Sequence, residues 1–130
     1  MKRFVILFAA LWLAGGCAAY DVRVEKIKSA TELKARMDKG NVQVIHALDA
    51  ENYRKGHIPG AANIDYEKMT PQMLPATKES PLIFYCASPF CPVSRMAANK
   101  ATSWGYSHVA VYEGGMSDWR SSGMPVDTGG

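Results

Sequence analysis

The apolar segment Leu82-Ile83-Phe84-Tyr85 constrains the fold more than any other part of the chain. It follows Pro81 and has no alternation of polar and apolar residues, so the pattern predicts a strand that is buried on both faces. Strands of this kind occur mostly in parallel sheets, whose faces are covered by helices. The strand runs directly into Cys86, which places a thiol at its carboxyl end.

Strand and helix patterns alternate along the rest of the chain. The predicted strands are residues 22–27, 42–45, 62–64, 81–85 and 108–111. The predicted helices lie between Ser29 and Gly40 and at residues 50–55, 94–104 and 116–121, with a helical turn at 71–74. In a chain of 130 residues this alternation predicts one α/β domain with a parallel sheet.

Residues 1–19 have the pattern of an export signal peptide and are expected to lie outside the fold. Two basic residues precede an apolar run at 4–13, which is too short for a membrane-spanning helix of about 20 residues. The segment that ends at Cys17 resembles a bacterial lipoprotein processing site. We therefore expect cleavage before Cys17 and lipidation of its thiol, with residues 20–130 forming the domain. Plain secretion after cleavage at Gly16 or Ala19 is the alternative.

Composition and charge exclude several classes of protein. Apolar residues make up 48% and charged residues 21%, a balance that supports a core, and no repeat or low-complexity tract is present. Without its leader the chain has 13 Lys and Arg against 12 Asp and Glu. No basic stripe with interleaved aromatics occurs, so nucleic acid is not an expected partner. The expected location is the periplasm or cell envelope, with membrane attachment only through a lipid anchor.

Cys86 is the strongest candidate for a reactive residue. Loops after the carboxyl ends of parallel strands form the sites of open α/β sheets, and here the loop at 87–93 leads into a helix. The positive end of that helix and the loop amides both favour the thiolate, which is the form that attacks sulfur. An inert cysteine buried at a strand end is the alternative.

Five short motifs are spaced in order along the folded part of the chain. They are Gly-His-Ile-Pro-Gly-Ala at 56–61, the strand end Phe84-Tyr85-Cys86, Trp104-Gly105-Tyr106, Gly-Gly-Met-Ser-Asp-Trp at 114–119 and Gly123-Met124-Pro125-Val126. Over roughly residues 24–127 the chain resembles the rhodanese-like family. The resemblance implies a five-stranded parallel sheet flanked by helices on both faces. It also implies sulfur transfer through a persulfide on Cys86, and no cofactor is expected.

The chain departs from the family pattern near the predicted site. His46 and Leu48 stand where members commonly have Asp and Arg, and Asn52 replaces the usual glutamate. The loop after the cysteine is longer than the common type and contains Pro89 and Pro92, which have no N–H to donate. Fewer amides are therefore available to bind a thiosulfate or persulfide, which argues against efficient transfer from thiosulfate to cyanide.

Cys91 adds a second thiol to the same loop. The pattern Cys86-x4-Cys91-x2-Ser94 resembles a dithiol variant of some exported rhodanese-like proteins. Attack by Cys91 on a persulfide at Cys86 would release sulfide and leave a disulfide, which an external thiol reductant, expected to be a protein, would reduce again. Two alternatives stay open: a non-catalytic binding module with a structural Cys86–Cys91 disulfide, and a dithiol redox protein.

The expected substrate is a small sulfur-containing anion bound by the loop. The predicted binding residues are Ala87, Ser88, Phe90, Val93, Ser94 and Arg95. Arg95 either orients the anion or is solvated, and Ser94 is expected to cap the helix. His57 and Trp119 are expected to be structural. No metal site is predicted, because the two cysteines lack a second ligand pair at a recognisable spacing.

Overall fold

The structure, a computed structural model, describes residues 23–130. Within this range strands and helices alternate. The strands are β1 (Glu25–Ile27), β2 (Gln43–His46), β3 (Ala62–Asn63), β4 (Leu82–Tyr85) and β5 (Val109–Tyr112). The helices are α1 (Ala30–Lys39), α2 (Ala50–Lys55), α3 (Val93–Ser103) and α4 (Gly115–Ser121). Two 3-10 turns, Tyr66–Lys68 and Pro71–Met73, lie between β3 and β4.

The strands form one parallel sheet in the order β1-β5-β4-β2-β3. The predicted five-stranded parallel sheet is therefore confirmed. β4 lies at its centre, with Leu82 beside Gln43 of β2 and beside Val109 of β5. Each residue of β4 is buried, as expected for a strand covered on both faces. The carboxyl ends of β2 and β4 are neighbours, so the loops that follow these two strands share one edge of the sheet.

Helices cover both faces of the sheet. The side chains of β4 alternate between the two cores that lie beneath these helices. Leu82 and Phe84 belong to one core, and Ile83 and Tyr85 belong to the other. The helix residues that complete these cores include Ala97, Ala98 and Ala101 of α3 on the first face, and Leu33 of α1 with Met116 and Trp119 of α4 on the second. The small alanines let α3 lie close to the sheet, which fixes the end of the loop that precedes it.

The ends of the helices follow local chemistry. The Ser29 hydroxyl accepts a hydrogen bond from the Glu32 amide (3.1 Å) and caps α1 as predicted. Helix α3 begins one residue earlier than expected, at Val93, with Pro92 as the capping residue. Ser94 lies inside the first turn, so the prediction that it caps this helix is wrong. Proline suits this position because it has no N–H that the start of a helix would leave unpaired.

The predicted signal peptide at residues 1–19 and the predicted lipidation site, Cys17, lie outside the described residues. Between residues 23 and 130, none of the helices has both the length and the apolar character that crossing a bilayer requires.

Candidate active site

Cys86 lies at the carboxyl end of β4 and is 1% exposed. The first turn of α4 holds the backbone around it. Met116 donates its amide to the Cys86 carbonyl (2.9 Å), and Ser117 donates its amide to the Ala87 carbonyl (2.9 Å). Gly115 makes this contact possible, since its φ is +61° and a Cβ there would lie 2.5 Å from the Cys86 carbonyl oxygen. The start of the loop is therefore held by two hydrogen bonds from α4 and by its close approach to Gly115.

Cys86 and Cys91 form a disulfide across the loop, with their Cα atoms 6.3 Å apart. The structure thus shows the oxidised state and brings together the two thiols that the sequence analysis singled out. The Cys86 sulfur lies 3.3 Å from the Cys91 carbonyl oxygen and 3.5 Å from the hydroxyl oxygen of Ser94. Ser94 is buried and can donate its proton to a thiolate at this position.

The loop has few amides free to bind an anion. Pro89 and Pro92 have none. The Ser88 hydroxyl accepts the Phe90 amide (3.3 Å), and the Ser88 carbonyl accepts the Cys91 amide (3.1 Å). The amides that remain for a ligand belong to the start of the loop and to the first turn of α3, where a helix has no internal partner for them. This supports the expectation of a smaller anion cradle.

The predicted binding residues lie in different environments. Val93 is the first residue of α3, next to the buried Ser94. The Phe90 side chain is 95% exposed, so it does not enclose the sulfur in this state. Arg95 forms an ion pair with Glu113 (3.0 Å). Both residues line a groove of about 340 Å³ that also reaches Phe90 and Cys91.

A second cavity, of about 280 Å³, adjoins the start of the loop, and it includes His46, Leu48 and Asn52, the positions at which the chain departs from the family pattern. The sequence analysis missed its two cations. The cavity is also lined by Ala87, by Lys55 and by Arg120 of α4. The Arg120 guanidinium lies across Gly56 and donates to the Lys55 carbonyl (3.4 Å). A Cβ at position 56 would overlap that guanidinium, so the glycine is what admits it.

His46 contributes a neutral side chain to this cavity. It is 1% exposed, and its ring meets the rings of Tyr53 and Tyr85 edge-on at 5.6 and 5.1 Å. Burial, with a smaller effect from nearby His57, lowers the pKa of His46 to about 4. The cavity therefore has two cations, Lys55 and Arg120, and no negative charge at the position where the family commonly has an aspartate. Lys55 is itself paired with Glu51 (2.9 Å), so Arg120 is the cation more available to a ligand.

His57 and Trp119 are structural, as predicted. The His57 ring stacks on Tyr53 with centroids 3.7 Å apart, and its Nδ1 lies 2.9 Å from the Tyr53 carbonyl oxygen. Trp119 is buried and donates its indole N–H to the Pro125 carbonyl (2.7 Å). Across residues 23–130 no three His, Cys, Asp or Glu side chains lie close enough together to hold a metal ion.

Comparison with known families agrees with the observed fold. The sequence model of the rhodanese-like domain matches residues 29–122, which include every strand except β1. The chain belongs to the rhodanese-like family. In this chain the loop that contains both Cys86 and Cys91 follows β4.

Similar proteins differ in their named roles. The HTH-type transcriptional regulator Rv0324 of Mycobacterium tuberculosis is 33% identical over 98 residues, which cover 75% of this chain and 43% of that protein. The thiosulfate sulfurtransferase GlpE of Shewanella oneidensis is 27% identical over 94 residues, covering 72% and 91%. The crystal structure of the BH2092 protein from Bacillus halodurans matches with a TM-score of 0.72 and 28% identity, covering 80% and 77%. The chain thus spans less than half of the regulator.

Proposed function

We propose that the protein is a sulfurtransferase that carries sulfane sulfur as a persulfide on Cys86, with Cys91 as the resolving thiol. We also propose that it works in the periplasm or cell envelope. The observation on which the proposal depends is the arrangement of the loop. The Cys86 sulfur lies at the buried end of β4, 3.5 Å from the Ser94 hydroxyl, and within bonding reach of Cys91.

Sulfur loading starts from the reduced loop. The Cys86 thiolate attacks the outer sulfur of a donor such as thiosulfate or a polysulfide, and the sulfur–sulfur bond of the donor breaks. With thiosulfate, sulfite leaves with the bonding electron pair, and Cys86 becomes a persulfide. The Ser94 hydroxyl and the first-turn amides of α3 stabilise the negative charge before and after this step. The cavity beside Arg120 offers an approach with a positive charge to an anionic donor.

Sulfur release uses the second thiol. The Cys91 thiolate attacks the inner sulfur of the persulfide, and hydrosulfide leaves as the Cys86–Cys91 disulfide forms. This product is the state that the structure shows. Two electrons must then return to the loop before another cycle. The relative from Shewanella oneidensis is named a thiosulfate sulfurtransferase, which supports a thiosulfate-like donor for this chain.

Intact-mass measurement of matched variants tests the proposal. The full chain with Cys91→Ser is reduced and treated with thiosulfate or polysulfide, because removal of the resolving thiol should trap the persulfide. We expect a gain of about 32 Da, one sulfur atom, on this variant. We expect no gain on Cys86→Ser, which retains Cys91 and Cys17. The wild type should instead release sulfide and return to the disulfide mass.

Two other results would point to different functions. No adduct on Cys91→Ser, together with thiols that resist alkylation after reduction, would favour a binding module with a structural disulfide. A wild-type disulfide that exchanges readily with added thiols, without any adduct on Cys91→Ser, would favour a dithiol redox protein.

A further inference from the structure

The two sulfur atoms of the disulfide differ in their accessibility. Cys86 is 1% exposed, whereas Cys91 is half-buried and lines the groove of about 340 Å³ that begins beside the loop. A thiol that reduces a disulfide approaches one sulfur and expels the other. Of the two sulfur atoms in the oxidised loop, that of Cys91 is therefore the more accessible from outside. Cys86 is then the leaving sulfur, and the Ser94 hydroxyl lies beside it to stabilise the thiolate that departs.

Phe90, next to Cys91, is 95% exposed and is the most exposed of the large apolar side chains between residues 23 and 130. Aromatic residues, phenylalanine among them, are enriched in protein–protein interfaces. Pro89 and Pro92 flank the Phe90–Cys91 pair and restrict the backbone, and Ser88 fixes the amides of both residues. The aromatic ring is therefore presented with little conformational freedom to lose on binding.

The charges around the groove suit a protein surface that is neutral or acidic. Glu113 is the acidic residue of the groove, and it pairs with Arg95 (3.0 Å) and with Lys26 (3.6 Å). These three side chains leave one net positive charge at the rim. A small thiol would need no aromatic anchor to reach Cys91, but a protein dithiol would use one to hold its own reactive cysteine over the disulfide.

We propose that a protein dithiol with a neutral or acidic face docks on Phe90 and reduces the loop by attacking the Cys91 sulfur. This inference rests on the proposed function, because only a disulfide formed in turnover has to be reduced in every cycle. The partner's thiolate bonds to Cys91, the Cys86–Cys91 bond breaks, and Cys86 leaves as a thiolate. The partner's second thiol, on losing its proton, attacks the mixed disulfide and expels Cys91, which is protonated. The partner ends as a disulfide, and both loop cysteines are reduced by its two electrons.

The test compares a protein reductant with a small one on the oxidised full chain. Thioredoxin serves as the protein dithiol probe, and dithiothreitol serves as the small dithiol. We expect Phe90→Ala to slow reduction by thioredoxin about tenfold more than it changes the rate with dithiothreitol. Met73→Ala, which removes another half-exposed apolar side chain, is the matched control and should slow neither reaction. Equal slowing with both reductants, or no slowing with thioredoxin, would overturn the docking role.

A trapping experiment examines the site of attack. A thioredoxin variant that lacks its second cysteine should remain linked to Cys91, as located by peptide mass mapping, and a link to Cys86 would overturn the assignment. These measurements start from the disulfide and need no sulfur donor. Sulfur loading is measured separately on reduced Cys91→Ser, so a failure of the docking proposal can be distinguished from a failure of the proposed function.

Discussion

Ser94 brings a hydroxyl group to within 3.5 Å of the Cys86 sulfur and is itself buried. The contact belongs to the reduced loop as well if the sulfur stays at the end of β4, because Ser94 is fixed by the first turn of α3. A hydrogen bond to a charged group contributes about 1.5–3 kcal/mol. At 3.5 Å the lower end of that range applies, and about 1.4 kcal/mol corresponds to a tenfold change in rate.

Replacement of Ser94 by alanine should therefore slow sulfur loading about tenfold. The measurement is the rate of persulfide formation from thiosulfate, followed by intact mass in the Cys91→Ser background. Ser103→Ala is the control, since Ser103 is exposed at the far end of the same helix and donates its hydroxyl to the Lys100 carbonyl. Equal rates for Ser94→Ala and the parent variant would show that the hydroxyl does not stabilise the thiolate.

At the scale of elements, the contact between α4 and the loop determines where the reactive sulfur lies. Gly115 begins α4 with φ +61°, and a Cβ there would lie 2.5 Å from the Cys86 carbonyl oxygen and 2.8 Å from the Ser88 nitrogen. Both atoms are backbone, so neither can move without moving the loop. Gly123 has a similar φ of +71° but open space around it. Substitutions at Gly115 and Gly123 therefore separate the free-energy cost of a side chain at positive φ from the cost of its overlap with the loop backbone.

Both Gly115→Ala and Gly123→Ala should lose about 1 kcal/mol of unfolding free energy, because a side chain disfavours positive φ. Gly115→Ala should lose roughly 1–3 kcal/mol more, since the added methyl group overlaps the loop backbone. Urea unfolding of the two variants measures the difference. If the two losses are equal, α4 does not hold the loop as tightly as the distances indicate.

The elements themselves were largely predictable from the sequence, because each has a local cause. Apolar runs gave the strands to within one to three residues at their ends, and Ser29 marked the start of α1. The start of α3 was misplaced because a serine is a common cap, whereas Pro92 performs that role here. The correct start of α1 and the misplaced start of α3 therefore both depend on the residue next to the helix.

The two cations of the second cavity beside the loop could not be predicted in the same way. Arg120 and Lys55 are 65 residues apart in the sequence. They meet because α2 follows β2 and α4 follows β5, and these parallel strands lie on either side of β4 with their carboxyl ends at the same end of the sheet. The two residues carry no motif of their own. The one local indication was Gly56, where the missing side chain makes room for the Arg120 guanidinium. A glycine in a turn motif is normally explained by the turn itself, so its second role becomes visible only in the fold.

For the whole molecule, buried titratable side chains on one face of the sheet limit the pH range in which the fold is most stable. Burial raises the pKa of Tyr85, and burial together with a hydrogen bond to Asp118 raises the pKa of Tyr112. A raised pKa in the folded state means that the stabilisation is complete below the unfolded value near 10 and is lost as the pH rises above it. These two tyrosines therefore destabilise the fold only as the pH rises above about 10.

His46 sets the acidic side of the range. Burial lowers its pKa from 6.5 to about 4, so the folded protein holds it neutral while the unfolded chain binds a proton. Its contribution is complete above pH 6.5 and is lost as the pH falls toward 4. Each pKa unit corresponds to about 1.4 kcal/mol, so the loss should amount to about 3 kcal/mol, a large part of the stability of a small domain.

The free energy of urea unfolding, measured between pH 7 and pH 4.5, should therefore decrease steeply in the wild type and remain nearly flat in His46→Gln. The glutamine variant has no proton to gain at this position, whatever its stability at pH 7. His108→Gln is the control, because His108 is exposed and its replacement should leave the wild-type slope intact. Glu25, whose pKa is lowered mainly by its hydrogen bond to Arg36, destabilises the fold only at lower pH, below its ordinary value of 4.5. A slope that persists in His46→Gln would mean that other groups cause the acid sensitivity and that the histidine beside the active loop is not the buried base that the structure indicates.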